Sequence, residues 1–359
     1  MIQRVGIVGA GTMGCGIAQL CASQGFSVKL HDLFPEALAA ARGKIKLGLD
    51  SAVIKGRLTT QQADRAALSI DYASELSGLT GADLIIEAAV EDLETKRKIF
   101  GELDKRCPEA ILATNTSSLS VAAIAQATAT PHRVLGLHFF NPPVSMRLVE
   151  TVRTPQTNPE VFTAVWDFVL MGLRKTPVDV KDIPGFIVNR VMRPYYLEAQ
   201  RVADGGAGIA PVDTAAREIG QVPLGPFELM DLIGLDVNLS ITRIIYQACG
   251  RPERFKPQAL QEKLVELGHI GRKSGKGFYL YEGSQAAGEN PQALAFLSAG
   301  PLKPAAAWEQ IISSVIAEAQ MAFKEGVAGK SDIDTAIKLA MNFPKGPFEW
   351  LNQKEKTRF

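Results

Sequence analysis

Cysteine is scarce in this chain of 359 residues. The four present, Cys15, Cys21, Cys107 and Cys249, are scattered, with no CxxC and no Cys/His spacing suited to a structural metal. A disulfide framework and a zinc site are thereby excluded, and free thiols in a reducing compartment are the expectation. Excess charge of one sign is equally absent: 39 basic residues face 38 acidic ones, for a net charge of +1. No global field gathers nucleic acid or anionic lipid, so any anion site must be local. Apolar runs of membrane-spanning length are missing too. Met1 leads straight into a strand-like segment, without the basic start, apolar core and cleavage site of a secretory leader. The expectation is a cytoplasmic protein that engages neither membrane nor nucleic acid and holds no metal.

What the chain does have is alternation. Over the first 180 residues short β-rich runs alternate with longer helical ones, the pattern of a parallel sheet covered by helices. The expected strands are Arg4–Val8, Ser27–His31, Leu68–Asp71, Leu84–Ala88, Ile111–Thr114, Val134–His138, Leu148–Val152 and Pro177–Val180, with Leu93–Arg106 an amphipathic helix among them. Near Asp182-Ile183-Pro184-Gly185 the alternation stops, and helical pattern broken by Gly and Pro follows. The fold class expected is α/β: a doubly wound, mainly parallel sheet over residues 1–184, then an all-α domain over 185–282. Residues 283–304, rich in Ala, Gly and Pro, read as a linker.

Residues 305–359 repeat part of the helical domain. Val212-Asp213-Thr214-Ala215 and Pro223-Leu224-Gly225-Pro226-Phe227-Glu228 recur 121 positions on as Ile333-Asp334-Thr335-Ala336 and Pro344-Lys345-Gly346-Pro347-Phe348-Glu349. Glu198-Ala199-Gln200 recurs 120 positions on as Glu318-Ala319-Gln320. Matches held in register mark a second, partial copy.

Gly9-Ala10-Gly11-Thr12-Met13-Gly14 lies between the first expected strand and a helical run from Cys15 to Ser23. Each glycine has a mechanical reason: a tight turn at Gly9, close backbone approach to a pyrophosphate at Gly11, and close helix–strand packing at Gly14. The helix N-terminus then offers its unsatisfied amides to the phosphates. An ordinary glycine turn is the plain alternative. The strand–turn–helix context favours a dinucleotide, as does Asp32, which ends the second strand 18 residues beyond Gly14. A carboxylate there accepts from ribose hydroxyls and repels a 2′-phosphate, so NAD is expected over NADP, with Lys29 and His31 as basic neighbours. The first domain is accordingly Rossmann-type.

His138-Phe139-Phe140-Asn141-Pro142-Pro143 ends another apolar strand, on the edge where such sheets meet their ligands. Histidine suits an alcohol dehydrogenation because it titrates near neutrality and can take a hydroxyl proton as hydride leaves carbon. Glu150, in Leu148-Val149-Glu150, follows a turn that folds the next strand back beside His138. A satisfied structural histidine is the competing reading. Thr114-Asn115-Thr116-Ser117-Ser118 also follows a strand; its hydroxyls either cap the next helix or, at Ser117, bind a substrate oxygen.

Together these segments resemble the 3-hydroxyacyl-CoA dehydrogenase family over roughly residues 1–282. GAGTMG at 9–14, EAAVEDLETK at 87–96, NTSSL at 115–119, HFFNPP at 138–143, LVE at 148–150, DIPGFIVNR at 182–190, GPFELMD at 225–231 and GRKSGKGFY at 271–279 occur in the family's order. The resemblance implies His138 as catalytic base, Glu150 as its orienting partner, and Ser117 and Asn189 as hydrogen-bonding residues around the substrate oxygen. It places Asp32, Glu91, Lys96, Ser117, Asn141 and Lys273 around NAD, with Gly9, Gly11, Thr12, Met13 and Gly14 forming the phosphate loop. Read without it, Glu91 and Lys96 are a solvated helix face and Lys273 a basic turn. The acyl-CoA thioester is expected at a helical hairpin inserted after the second strand, matched by Pro35 to Thr60. Arg42, Lys44, Lys46, Lys55 and Arg57 lie there, Lys55 best matching the family's CoA lysine.

In single-copy relatives the helical domain typically forms a homodimer, so the second copy implies an internal pseudo-dimer, with room for further self-association. Extending the upstream offset sets Glu309 opposite Asn189, so the second copy is not expected to form another active site. A gulonate-type sugar-acid dehydrogenase and a non-catalytic crystallin-like protein are the alternatives. The basic hairpin weighs against the first, and the joint presence of Ser117, His138, Glu150 and Asn189 against the second. Asp32 yields a direct expectation: catalytic efficiency with NAD well above that with NADP in steady-state assays. Comparable efficiencies would remove the ribose assignment.

Overall fold

The protein is described by a computed structural model covering residues 2–298 and 300–356. It divides into two compact units, one ending at Ile183 and the other beginning at Pro184.

The first unit runs β1 (Arg4–Val8), α1 (Thr12–Ser23), β2 (Ser27–His31), α2 (Pro35–Ile54), α3 (Thr60–Leu68), β3 (Ile70–Ala73), β4 (Leu84–Glu87), α4 (Leu93–Arg106), β5 (Ile111–Thr114), α5 (Val121–Ala125), β6 (Val134–Phe139), β7 (Leu148–Arg153), α6 (Pro159–Asp167) and β8 (Thr176–Lys181). The strands form one sheet in the order β3-β2-β1-β4-β5-β6-β7-β8. Strands β1 to β6 pair in parallel, β7 returns antiparallel to β6, and β8 runs parallel to β7. The chain reverses direction across the sheet between β1 and β4, which sets a ligand crevice at the carboxyl ends of those strands. Val5, Ile7, Leu84, Ile86, Leu112, Val134, Leu135 and Leu137 are all buried, as expected of strands covered on both faces.

Local chemistry sets the element ends. Asp92 caps α4 by accepting from the Thr95 amide, and Lys105 and Arg106 close its last turn. Thr59 and Gln62 form a reciprocal capping box that opens α3. This box corrects two expectations. The hairpin does not end at Thr60, where its second helix begins, but continues to Leu68; the strand placed at Leu68–Asp71 therefore starts at Ile70.

The second unit runs α7 (Val188–Val191), α8 (Arg193–Val202), α9 (Ile209–Glu218), α10 (Pro226–Ile233), α11 (Leu235–Ala248), α12 (Ala259–Glu266), β9 (Tyr279–Glu282), β10 (Gln285–Glu289), α13 (Pro291–Ala295), α14 (Pro304–Lys324), α15 (Lys330–Met341) and α16 (Pro347–Lys356). The stretch read as a linker is more structured than its composition implied. Gly283, at φ 61°, turns β9 into an antiparallel hairpin with β10, and Asn290 caps α13 while donating to the Gly277 carbonyl. Backbone pairing in a two-stranded ribbon needs no apolar periodicity, which is why composition missed it.

The two sequence copies share one local design. Asp213 accepts from the Phe227 and Glu228 amides, and Glu228 accepts from the Gly225 amide. In the second copy Asp334 accepts from the Phe348 amide, and Glu349 from that of Gly346. Glycine is required at both entrances: a Cβ on Gly225 would lie 2.3 Å from Asp213, and one on Gly346 2.2 Å from Asp334. Helix α14 packs along α8 and α9. Between the copies, Arg190 Nε of α7 meets Glu318 Oε1 of α14 at 2.7 Å, and Gln310 Nε2 of α14 meets Glu198 Oε1 of α8 at 2.9 Å. At the offset of 120 these pairs are exchanged with one another: 190 corresponds to 310, and 198 to 318. Deleting residues 305–359 strips this cover from α8. It should lower Tm by at least about 5 °C and yield dimers or aggregates in sedimentation, with NADH affinity unchanged; unaltered Tm and mass would contradict the packing role.

Candidate active site

The loop after β1 is shaped by its glycines. Gly9 sits at φ 104°, and a Cβ on Gly14 would lie 1.7 Å from the Gly9 carbonyl oxygen, so helix α1 approaches the turn as only glycine allows. A Cβ on Gly11 would meet nothing within 4 Å, which leaves open space over the start of α1. No side chain caps that helix, so its first amides face this space, with Thr12 exposed and Met13 half-buried beside it. Asp32 accepts from the Ala10 amide at 2.8 Å and the Phe34 amide at 3.0 Å, one on each carboxylate oxygen. Each oxygen keeps a lone pair for a ribose hydroxyl. The basic neighbours turn elsewhere: Lys29 donates to the Thr80 carbonyl, and His31 bonds the Ala73 carbonyl, burial pulling its pKa below the usual histidine value. An amide-lined opening and an uncompensated carboxylate fit NAD.

The end of β4 carries a chain of charges. Lys96, 1% exposed, lies 2.6 Å from Glu87 and 3.4 Å from Glu91. Glu87 also accepts from Thr114 Oγ1 and the Ala89 amide. Glu91 reaches the loop after β5, where it accepts from Thr116 Oγ1 at 2.6 Å and from the amides and hydroxyls of Ser117 and Ser118. Burial raises the Glu91 carboxyl, but Lys96 and these donors outweigh it and hold it below the ordinary carboxylate range. Glu91 and Lys96 are therefore not a solvated helix face; they fix the loop that presents Ser117. The hydroxyls of that loop do not cap α5 either. Ser120 does so, with Asp182 accepting from the Val121 and Ala122 amides.

His138 and Glu150 are directly opposed in the β6–β7 ladder, and His138 Nδ1 lies 2.7 Å from Glu150 Oε2. Both are buried, and the Phe140 ring packs 4.6 Å from the imidazole. A carboxylate only accepts, so the proton sits on Nδ1, and Nε2 carries the basic lone pair. Asn115, which sequence reasoning passed over as a site residue, accepts from the Phe139 amide at 2.8 Å and ties the end of β5 to the end of β6. Asn141 is exposed, joined to Pro142 by a cis peptide bond. Pro143 is buried against α1, where a Cβ on Gly16 would come within 2.7 Å of its ring.

The same loop has a second anchor that no sequence signal marked. Lys175, which precedes β8 and is 7% exposed, donates to the Met146 carbonyl at 2.6 Å. A lysine before a strand reads as surface; here burial, with Arg147 nearby, pulls its pKa down to about 8.

The remaining expected residues are carried by other elements. Lys55 is exposed at the C-terminal end of α2. In the second unit Asn189 is half-buried in α7, and Lys273 is exposed and paired with Asp236 at 2.7 Å.

Lys175 gives a pH dependence. Below pH 8 the folded and unfolded chains both bind its proton, and the folded state bears the full cost of burying the charge. From pH 8 to about 10.4 the unfolded chain keeps a proton that the folded one has released, so stability recovers as pH rises. Lys175→Met should be more stable than the parent by about 1–2 kcal/mol at pH 7, after loss of the Met146 hydrogen bond. Urea unfolding should show that advantage fading toward pH 10; a constant difference would refute the buried-charge account.

Comparison with known proteins agrees with this geometry. The model of the 3-hydroxyacyl-CoA dehydrogenase NAD binding domain matches residues 4–183, and that of the 3-hydroxyacyl-CoA dehydrogenase C-terminal domain matches residues 185–281 and 308–354. The chain is 35% identical to the 3-hydroxyadipyl-CoA dehydrogenase of Escherichia coli (strain K12), over 97% of this chain and 90% of that protein. It is 41% identical to a 3-hydroxybutyryl-CoA dehydrogenase of Mycobacterium tuberculosis (strain ATCC 25618 / H37Rv), over 78% of this chain and 99% of that one. The crystal structure of 3-hydroxybutyryl-CoA dehydrogenase from Escherichia coli K12 superposes with a TM-score of 0.88 at 34% identity, covering 98% of this chain and 92% of that one. Matched over both units by the family's models and over nearly its whole length by a relative, the chain belongs to the 3-hydroxyacyl-CoA dehydrogenase family, NAD-dependent oxidoreductases acting on a CH–OH group.

Proposed function

We propose that the family's reaction, the reversible oxidation of a 3-hydroxyacyl-CoA to the 3-ketoacyl-CoA, runs in this chain through His138 as proton acceptor. The observation that carries this reading is the buried 2.7 Å contact between His138 Nδ1 and Glu150. Nε2 takes the hydroxyl proton as the C3–H bond breaks and the carbonyl forms, and the Glu150 carboxylate balances the imidazolium. NAD, when bound, accepts the hydride. Ser117, on the loop gripped by Glu91, and Asn189 bind the substrate oxygen in this reading. The glycine loop, Asp32, Asn141 and Lys273 hold the cofactor, with Glu91 and Lys96 supporting its pocket.

The CoA end is assigned to the α2–α3 hairpin. A groove of about 690 Å³ lies there, lined by residues that include Arg42, Lys46 and Tyr72. Arg42 stacks over the Tyr72 ring and Lys46 pairs with Asp50, whereas Lys44, Lys55 and Arg57 make no ion pair among the described residues. Those three are the cations assigned to phosphate. The exchanged pairs Arg190–Glu318 and Gln310–Glu198 support reading the two helical copies as an internal pseudo-dimer. Four free cysteines, three of them buried, suit the cytoplasm.

His138→Gln should lower kcat by about 10²- to 10⁴-fold with NADH binding intact, and Glu150→Gln by at least about tenfold. Near-normal turnover of the histidine variant would end the mechanism. NADH formation across 3-hydroxyacyl-CoA thioesters of graded length, with and without a terminal carboxylate, tests the substrate class. Joint neutralisation of Lys44, Lys55 and Arg57 should raise KM for CoA thioesters and leave KM for pantetheine thioesters unchanged; equal effects would free the hairpin from CoA.

A further inference from the structure

Helix α7, which bears Asn189, has only four residues and no intrinsic stability of its own. It follows a tight turn in which Gly185 and Phe186 both adopt positive φ, 78° and 50°, and a Cβ on Gly185 would lie 2.6 Å from Ile245. Two arginines then suspend the helix. Arg193 donates to the Asn189 carbonyl at 3.2 Å and anchors it to α11 through the Asn238 carbonyl and Thr242 Oγ1. Arg190, next to Asn189 and 4% exposed, reaches the other way. Its Nε lies 2.7 Å from Glu318 and its Nη1 2.7 Å from Glu325, while Glu318 takes Arg254 Nε on its second oxygen at 2.6 Å. Glu318 lies in α14 and Glu325 directly after it, so both counter-charges come from the second copy.

Packing alone does not account for this arrangement. Copies pairing only to cover apolar surface would carry equivalent contacts at equivalent positions, yet the pair equivalent to Arg190–Glu318 is Gln310–Glu198, in which the exposed Gln310 is uncharged and Glu198 takes its arginine, Arg201, from its own helix. The residue matching Asn189 there is Glu309, bound by Lys354 at 2.5 Å. Among the described residues, a buried arginine clamped by carboxylates between the copies thus stands only beside Asn189. A desolvated arginine held by two carboxylates costs stability relative to an apolar contact but fixes a single register.

We infer that Glu318 and Glu325 are positioning residues for Asn189, and that the second copy thereby completes the substrate site through Arg190. The inference rests on the reading of Asn189 as a substrate-oxygen ligand. Misplacing a ligand by about 1 Å costs up to about a hundredfold in rate. The full-length variants Glu318→Gln, Glu325→Gln and Asn189→Ala, and the doubles of each glutamate variant with Asn189→Ala, are compared by steady-state kinetics, NADH affinity and thermal melting. Glu318→Gln should lower kcat about tenfold or more, and the half-exposed Glu325→Gln less, with NADH affinity unchanged. Neither should lower kcat further in the Asn189→Ala background. Should Glu318→Gln not fold, Glu325→Gln carries the same test. Parental kcat in the glutamate variants beside a slow Asn189→Ala overturns the inference alone, as do losses that multiply in the doubles. A fast Asn189→Ala overturns the Asn189 assignment and the inference with it.

Discussion

A strand that turns back antiparallel to the one before it puts the two central groups in contact. The chain leaves β6 just after His138, crosses a short proline-rich loop, and comes back along the same edge as β7. In an antiparallel pair directly opposed residues project to the same face, so the register that seats Phe139 opposite Val149 necessarily seats His138 opposite Glu150. Slipping it by one residue would send Glu150 to the other side of the sheet. The loop is held at three points: Asn115 holds Phe139 at one end, Gly16 receives Pro143 in the middle, and Lys175 holds Met146 at the other.

Charges in this protein are buried where something must stay in place. The row Glu87–Lys96–Glu91 connects β4 to the loop after β5 and dictates where Ser117 lies. Such groups contribute little net stability while intact, yet stripping one partner from a buried pair costs about 3–5 kcal/mol. They act as registers more than as glue, and surface pairs such as Lys105–Glu102 have no comparable hold.

Much of this was legible in the residues. Apolar runs bounded by turn residues located β1, β2 and β5 to the residue, and Leu93–Arg106 coincides with α4 because Asp92 caps it and Lys105 and Arg106 close it. Leu68 was misread as strand because a single leucine followed by Ser-Ile-Asp carries no periodicity, whereas the helix it ends was announced by Thr59 and Gln62. The juxtaposition of His138 and Glu150 was legible through the turn between them. The grip of Glu91 on Ser117 and Ser118, 26 and 27 positions away, was not, since contacts between neighbouring crossovers leave no local pattern. Lys175 and the clamp on Arg190 were hidden for a further reason: burial of a cation depends on what packs over it, and its type alone signals a surface.

Tethering changes the arithmetic of the contact that α14 makes with α7 and α8. Two separate chains would form the Arg190–Glu318 pair only at concentrations above their dissociation constant. Here the helices share one backbone, so each meets the other at an effective concentration on the order of millimolar, whatever the abundance of the protein. The ionic contacts at α7 are consequently insensitive to dilution, and their assembly is a unimolecular step of folding.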